Sequence, residues 1–235
     1  MKHFYVLTVF TFFGLTLSAC TSIQHPPKSA KQIQSIRPNA IQSSALAKPT
    51  PVSYIVWLER NPNQKRVSDY KNYLISQGVN LVAPDFELFR SARGWQACQY
   101  DQYDVPDSSV WNNAVPTLKL LAYLVNSNII SDIELTSAYR SPVLNACVGG
   151  AKESSHMQNS AIDFRIGPEF PSDSDQLRIA SSKRKLCKFW QTEGQRYNMG
   201  LGVYSSGQIH IDTKGFRTWG PDHTWHSSIC GEKIE

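Results

Sequence analysis

The chain has 235 residues, 41% of them hydrophobic and six of them Trp, enough for one folded domain with a real core plus extensions. Its net charge of +5 is confined to the beginning: Lys2, Lys28, Lys31, Arg37 and Lys48 precede the first acidic residue, Glu59, leaving 19 basic against 19 acidic residues beyond. A neutral body has no electrostatic footprint for a polyphosphate, so nucleic acid is excluded as a partner.

Residues 1–20 read as an export signal. Met1-Lys2-His3 is a basic start, and Phe4 to Leu15 is an apolar run too short to span a bilayer comfortably. It ends in Leu17-Ser18-Ala19-Cys20, which resembles a bacterial lipobox, with Cys20 as the lipidated new N-terminus; an ordinary secretory signal cut after Ala19 is the alternative. Thr21 in place of Asp implies, by the same resemblance, the outer membrane as destination. Residues 21–52, with Pro at 26, 27, 38, 49 and 51 and no acid, read as a flexible tether too polar to bury itself. A domain is expected over 53–235.

Tyr54 to Leu58 reads as an edge strand or a segment packed on the domain. Ser68 is placed to cap a helix over 69–77, with Tyr70, Tyr73 and Leu74 on one face and Gly78 as its stop. Leu88, Phe89 and Trp95 recur at near-helical spacing within 86–98 and read as core. Val115 to Asn126 is the clearest buried helix, through Leu118, Leu121, Leu124 and Val125. Ile133 to Thr136 alternates as a strand and delivers Ser137-Ala138-Tyr139-Arg140. Ser141 and Pro142 then start a short helix that Gly149-Gly150 ends.

Within Ser160 to Ile166, Ile162, Phe164 and Ile166 share one strand face, while Ala161, Asp163 and Arg165 share the other. His156 lies seven residues before Asp163. On a helix that separation spans ~10 Å, too far for one ion, but a loop before a strand can fold the imidazole back over the carboxylate. A helix over 175–192 is expected to bury Leu177, Ala180, Leu186, Phe189 and Trp190. Leu201 to Asp212 reads as a hairpin turning at Ser205-Ser206-Gly207. Its second strand repeats the pattern, with Ile209 and Ile211 pointing one way and His210 and Asp212 the other. Two strands with apolar backs and His/Asp fronts are what a zinc site on a sheet requires. The expected class is therefore α+β, with a small antiparallel sheet carrying the site and helices flanking it.

Apart from Cys20, four cysteines remain: Cys98, Cys147, Cys187 and Cys230. An even count in an exported chain points to two disulfides, with three pairings open. No Cys-x2-Cys spacing argues for their use as metal ligands.

Three segments together resemble the zinc D-Ala-D-Ala carboxypeptidase and murein endopeptidase family, peptidase M15, in its A-type branch. They are Ser137 to Pro142, Gly149-Gly150-Ala151 through His156 and Asp163, and Gly200 to Tyr204 through His210-Ile211-Asp212. The likeness covers roughly residues 65–230 and implies the fold shared by lysostaphin-type enzymes and the hedgehog signalling domain. Residue by residue, it makes His156, Asp163 and His210 the zinc ligands, three protein donors with a fourth position left for water. It makes Arg140, sixteen residues ahead of the first ligand, a group for a substrate carboxylate or an oxyanion. Many relatives carry an acid or His two or three residues before the last ligand, where this chain has Gly207 and Gln208.

The implied function is a lipid-anchored, monomeric, periplasmic zinc peptidase, endopeptidase or carboxypeptidase, acting on peptidoglycan stem peptides or cross-links. A zinc-containing lipoprotein that grips the wall without turnover is the competing reading, and the vacant upstream base position favours it. A purely structural zinc would need a fourth ligand, for which His223 or His226 stands available in the loop Trp219 to His226. For the catalytic machinery we expect Asp212, on the His210 face, as the carboxylate near the metal or as support for a ligand, and His223 as the loop histidine reaching the pocket.

Overall fold

The computed structural model describes residues 48–231. The expected signal, Cys20 and most of the tether lie outside those residues. Lys48, at the expected end of the tether, donates to the buried Glu87 carboxylate at 2.6 Å.

Pro51 precedes a helix, α1 (Val52–Leu58), where a strand or packed segment was expected. Its two buried residues, Tyr54 and Trp57, are one helical turn apart, whereas Val52, Ile55 and Val56 are exposed, so the period is three and not two. The Tyr54 and Trp57 rings pack on Tyr103 at 5.0 and 5.6 Å between centroids. Helix α2 (Asn63–Ser76) starts earlier than the Ser68 cap suggested, after Pro62, and stops at Gly78, whose φ of +71° favours glycine. The helical spacing after Phe86 yields only one turn, α3 (Asp85–Leu88). Phe89 is core, but Trp95 is half-buried in the turns that follow. Helix α4 (Trp111–Asn126) is the central one, with Leu120, Leu121 and Leu124 almost fully buried.

Ser141 caps α5 (Pro142–Cys147) by accepting from the Leu144 amide. Helix α6 (Asp173–Glu193) opens on a capping box made by Ser172 and Asp175. Leu186 and Phe189 are inward as expected, but Leu177 is 74% exposed and Ile179 takes its place in the core. At 100° per residue Leu177 falls opposite Leu186, whereas Ile179 falls almost directly behind it.

Five strands form one sheet: β1 (Ile133–Ser137), β2 (Ala161–Ile166), β3 (Gly200–Val203), β4 (Gln208–Asp212) and β5 (Arg217–Trp219), ordered β1-β2-β4-β3-β5. All pairs are antiparallel except β3 with the edge strand β5, which is parallel. Leu135, Ile162, Phe164, Leu201, Ile209 and Ile211 join the helices in one apolar core. The opposite face is therefore free to carry polar groups.

The cysteines pair as Cys98–Cys147, tying the turns after Phe89 to α5, and Cys187–Cys230, tying α6 to the C-terminal segment. Separations of 49 and 43 residues correspond to about 4 kcal/mol each in the chain-entropy view. Among the described residues no helix is long and apolar enough to cross a membrane.

Candidate metal centre

The strand register builds one row of side chains across the polar face. Asp163 pairs with His210, His210 with Gly202, and Gly202 with Trp219. On the other flank, a bulge at Thr136 shifts β1 so that Ser137 faces Asp163 and turns its hydroxyl into the same row.

His156 reaches this row from the loop before β2. Asn159, at φ +55°, lets the chain double back, and its side chain donates to Tyr70 Oη at 3.0 Å and to the Val110 carbonyl at 3.2 Å. Thr117 of α4 donates to the Ser160 carbonyl. The loop is thus held by two helices before it enters the sheet. His156 Nδ1 donates to the Ala138 carbonyl at 2.6 Å, which leaves Nε2 aimed at the carboxylate.

His156 Nε2 lies 3.2 Å from Asp163 Oδ1, and His210 Nδ1 lies 2.8 Å from the same oxygen. One donor atom from each of the three residues falls within 4.8 Å of the others. Two imidazole nitrogens and a carboxylate oxygen, largely buried beneath an open cleft, form a group that could hold a metal ion. Neither His223 nor His226 belongs to this group among the described residues. Burial opposes ionisation of Asp163, but the charges and hydrogen bonds of His156 and His210 hold its pKa well below the usual carboxylate range. Burial also disfavours the charged form of His210; its bonds to Asp163 and Asp212 outweigh that and push its pKa up to about 9.

Asp212 is fully buried on the far side of the His210 ring. Its Oδ2 accepts from His210 Nε2 at 3.0 Å and from Arg217 Nη2 at 2.7 Å. Its Oδ1 accepts from Arg217 Nη1 at 3.0 Å and from the Lys214 amide at 2.9 Å. Against the cost of burial, these donors hold its pKa at about 2. A carboxylate with four donors around it has no lone pair to spare for a substrate proton. What it does is fix the plane of the His210 ring.

Arg140 approaches from the β1 side. Its Nη2 donates to Ser137 Oγ at 3.1 Å and lies 3.6 Å from Asp163 Oδ2, while Nη1 donates to Asn145 Oδ1 at 3.3 Å. Its Nε is buried without a partner. Asn145 in turn donates to the Ala151 carbonyl, so the Gly-Gly-Ala turn and the guanidinium share one support.

A cleft of about 840 Å³ opens over the row, and Arg93, Arg140, Glu153, Tyr204, Trp219 and His223 are among the residues that line it. Tyr204 Oη accepts from Trp219 Nε1 at 2.9 Å, leaving the phenol hydrogen for another acceptor. His223 is exposed, with its ring centroid 5.8 Å from that of Tyr204. His226 packs at a tilt against Trp225 instead, with ring centroids 4.6 Å apart.

Tyr204, Glu153, Arg217 and Trp219 were not singled out from the sequence. A signal for the last two was present in Gly200-Leu201-Gly202, since glycine inside a strand marks a close approach by something else. A Cβ on Gly202 would meet the Trp219 indole at 2.6 Å, and one on Gly200 would meet Arg217 at 2.6 Å and Asp212 at 2.7 Å.

Residues 112–212 match the family model described as Peptidase M15. A 113-residue stretch is 33% identical to the probable peptidoglycan L,D-endopeptidase MepK of Haemophilus influenzae, covering 44% of this chain and 53% of that protein. The chain thus spans about half the length of the curated relative it matches. No solved structure matches.

Proposed function

We propose that this chain, whose residues 112–212 match the Peptidase M15 family model, is a zinc-dependent peptidase of that family hydrolysing peptide bonds of peptidoglycan in the cell envelope. The observation that carries the proposal is the convergence of His156, Asp163 and His210 at the base of an open cleft, with no fourth protein ligand among the described residues. When bound there, zinc supplies a Lewis acid for the scissile carbonyl and lowers the pKa of a water.

The remaining work falls to the chain's own residues. The Ala138 carbonyl and Asp212 fix the two imidazole rings, each holding the ring nitrogen that does not face Asp163 Oδ1. Arg140 presents a cation beside the ligand row, placed to hold the oxyanion of the transition state. The Tyr204 hydroxyl, oriented by Trp219, adds a neutral donor in the same cleft; burial raises its pKa and keeps the proton on. His223 sits next to Tyr204 at the cleft mouth, and we assign it the return of a proton to the leaving amine. The bond named for the relative, an L,D-peptide link, is the first to test here.

Incubating the purified protein with sacculi, with and without a chelator, and weighing the released fragments by mass spectrometry tests this reading. Once the glycan strands are cut with a muramidase, muropeptides with cleaved stems or cross-links should appear, be absent on chelation and return with added zinc. A metal-loaded protein that binds sacculi but releases nothing would make it a wall-binding module.

Asp212→Asn separates support from base catalysis. As a positioning residue, its loss should weaken zinc binding by roughly 10–100-fold while turnover per bound zinc stays near wild type. Background turnover at full zinc occupancy would instead make Asp212 the base.

We extend the proposal to the N-terminus, where lipidated Cys20 would hold the domain on the periplasmic side of the outer membrane. Cys20→Ser should move the protein from the membrane fraction to a soluble or unprocessed form, read by fractionation and mass. Unchanged detergent extraction would sink the anchor.

A further inference from the structure

We infer that Arg93 forms a carboxylate-binding subsite on the rim of the cleft, so that the peptide it receives carries a free carboxylate close to the bond that is cut. The inference rests on the reading of the cleft as a peptide site and adds a chemical requirement to it.

Arginines in this protein are almost always paired. Among the described residues Arg60, Arg66, Arg90, Arg140, Arg165, Arg178, Arg196 and Arg217 each have a carboxylate within ion-pair distance. Arg93 has none, although Glu153 lines the same cleft. It is exposed, as is Arg184, the other arginine without such a pair; Arg93 differs in lining the cleft.

Its mounting is rigid. The Ser91 hydroxyl is buried against the carbonyls of Asp101 and Gln102, Ser137 donates to the Ser91 carbonyl, and the Ala138 amide donates to that of Arg90. On the other side the Cys98–Cys147 disulfide ties the turn to α5, and Gly94 packs so close to Val148 that a Cβ placed on it would meet the valine side chain at 3.2 Å. A long cationic side chain on a fixed base loses less freedom on meeting its partner than one on a mobile loop.

The electrostatics ask for an anion. Of the three arginines that line the cleft, Arg140 lies 3.6 Å from the Asp163 carboxylate and Arg217 is bonded to Asp212, so among the described residues Arg93 is the one whose charge has no carboxylate partner. A planar guanidinium at a cleft rim matches a carboxylate by two parallel hydrogen bonds, which a carboxamide cannot replace.

The test measures binding and not turnover. Stem peptides released from sacculi are titrated calorimetrically into the zinc-loaded, detergent-solubilised full chain, alongside the same peptides with their carboxylates chemically amidated. The wild type should bind the native peptides about tenfold more tightly, the scale of one charge-assisted contact. Arg93→Gln should bind both forms equally, with Arg93→Lys between. Wild-type protein that does not discriminate, Arg93→Gln that discriminates as well as wild type, or discrimination lost only in Arg140→Gln would each overturn the subsite. Intact discrimination in a protein that releases nothing from sacculi supports the subsite while removing the peptidase reading.

Discussion

His210→Ala is expected to lose zinc and activity together, with turnover falling by on the order of a thousand-fold or more and the fold preserved. His210 contributes one of three donor atoms, and two remaining ligands cannot hold a catalytic ion against solvent. The loss should exceed the 10–100-fold typical of an outer-shell partner. Stability should change far less, because the side chain stands on the polar face while its neighbours Ile209 and Ile211 keep the apolar face closed. Asp212 keeps Arg217 and the Lys214 amide as partners, so the cost of the missing donor is about 1–3 kcal/mol. Metal content by elemental analysis and thermal unfolding followed by circular dichroism check both halves. Full zinc occupancy in the variant would refute the ligand assignment.

Arg140→Ala should leave zinc in place and lower kcat by roughly 100–1,000-fold, with a smaller change in KM, the pattern of a donor that acts in the transition state. Arg140→Lys should recover little. The fork that spans Ser137 and Asn145 has no counterpart in a single ammonium, and the compact charge would sit differently against Asp163. Because Arg140 is 11% exposed and bonded on two sides, unfolding must be measured for both variants. Wild-type kcat in a folded, zinc-loaded Arg140→Ala protein would remove the residue from the mechanism.

Much of this arrangement is local and therefore legible in the chain. Side-chain direction in a strand alternates with a period of two, so Ile162-Asp163-Phe164 and Ile209-His210-Ile211 already state which groups face away from the core. The same holds for the Ser141-Pro142 helix start and for the turn at Gly207, where a single residue type answers a single backbone need. Short apolar runs are less decisive: in Tyr54 to Leu58 the choice of helix depended on an aromatic cluster completed by Tyr103, far along the chain. Nor does periodicity tell which of two nearby leucines turns inward unless the helix phase is known, as Leu177 and Ile179 demonstrate.

What only the tertiary structure decided were relations between segments. The register setting Asp163 beside His210, the pairing of four cysteines, and the closure of Arg217 on Asp212 over Gly200 all join residues distant in sequence or on different strands. So does the lining of the cleft, to which Arg93 comes from early in the domain's sequence and Tyr204 and His223 from late in it. The physical reason is that a residue's own dihedrals set where its side chain points, whereas what it meets there is set by the packing of the whole core, which no local pattern encodes.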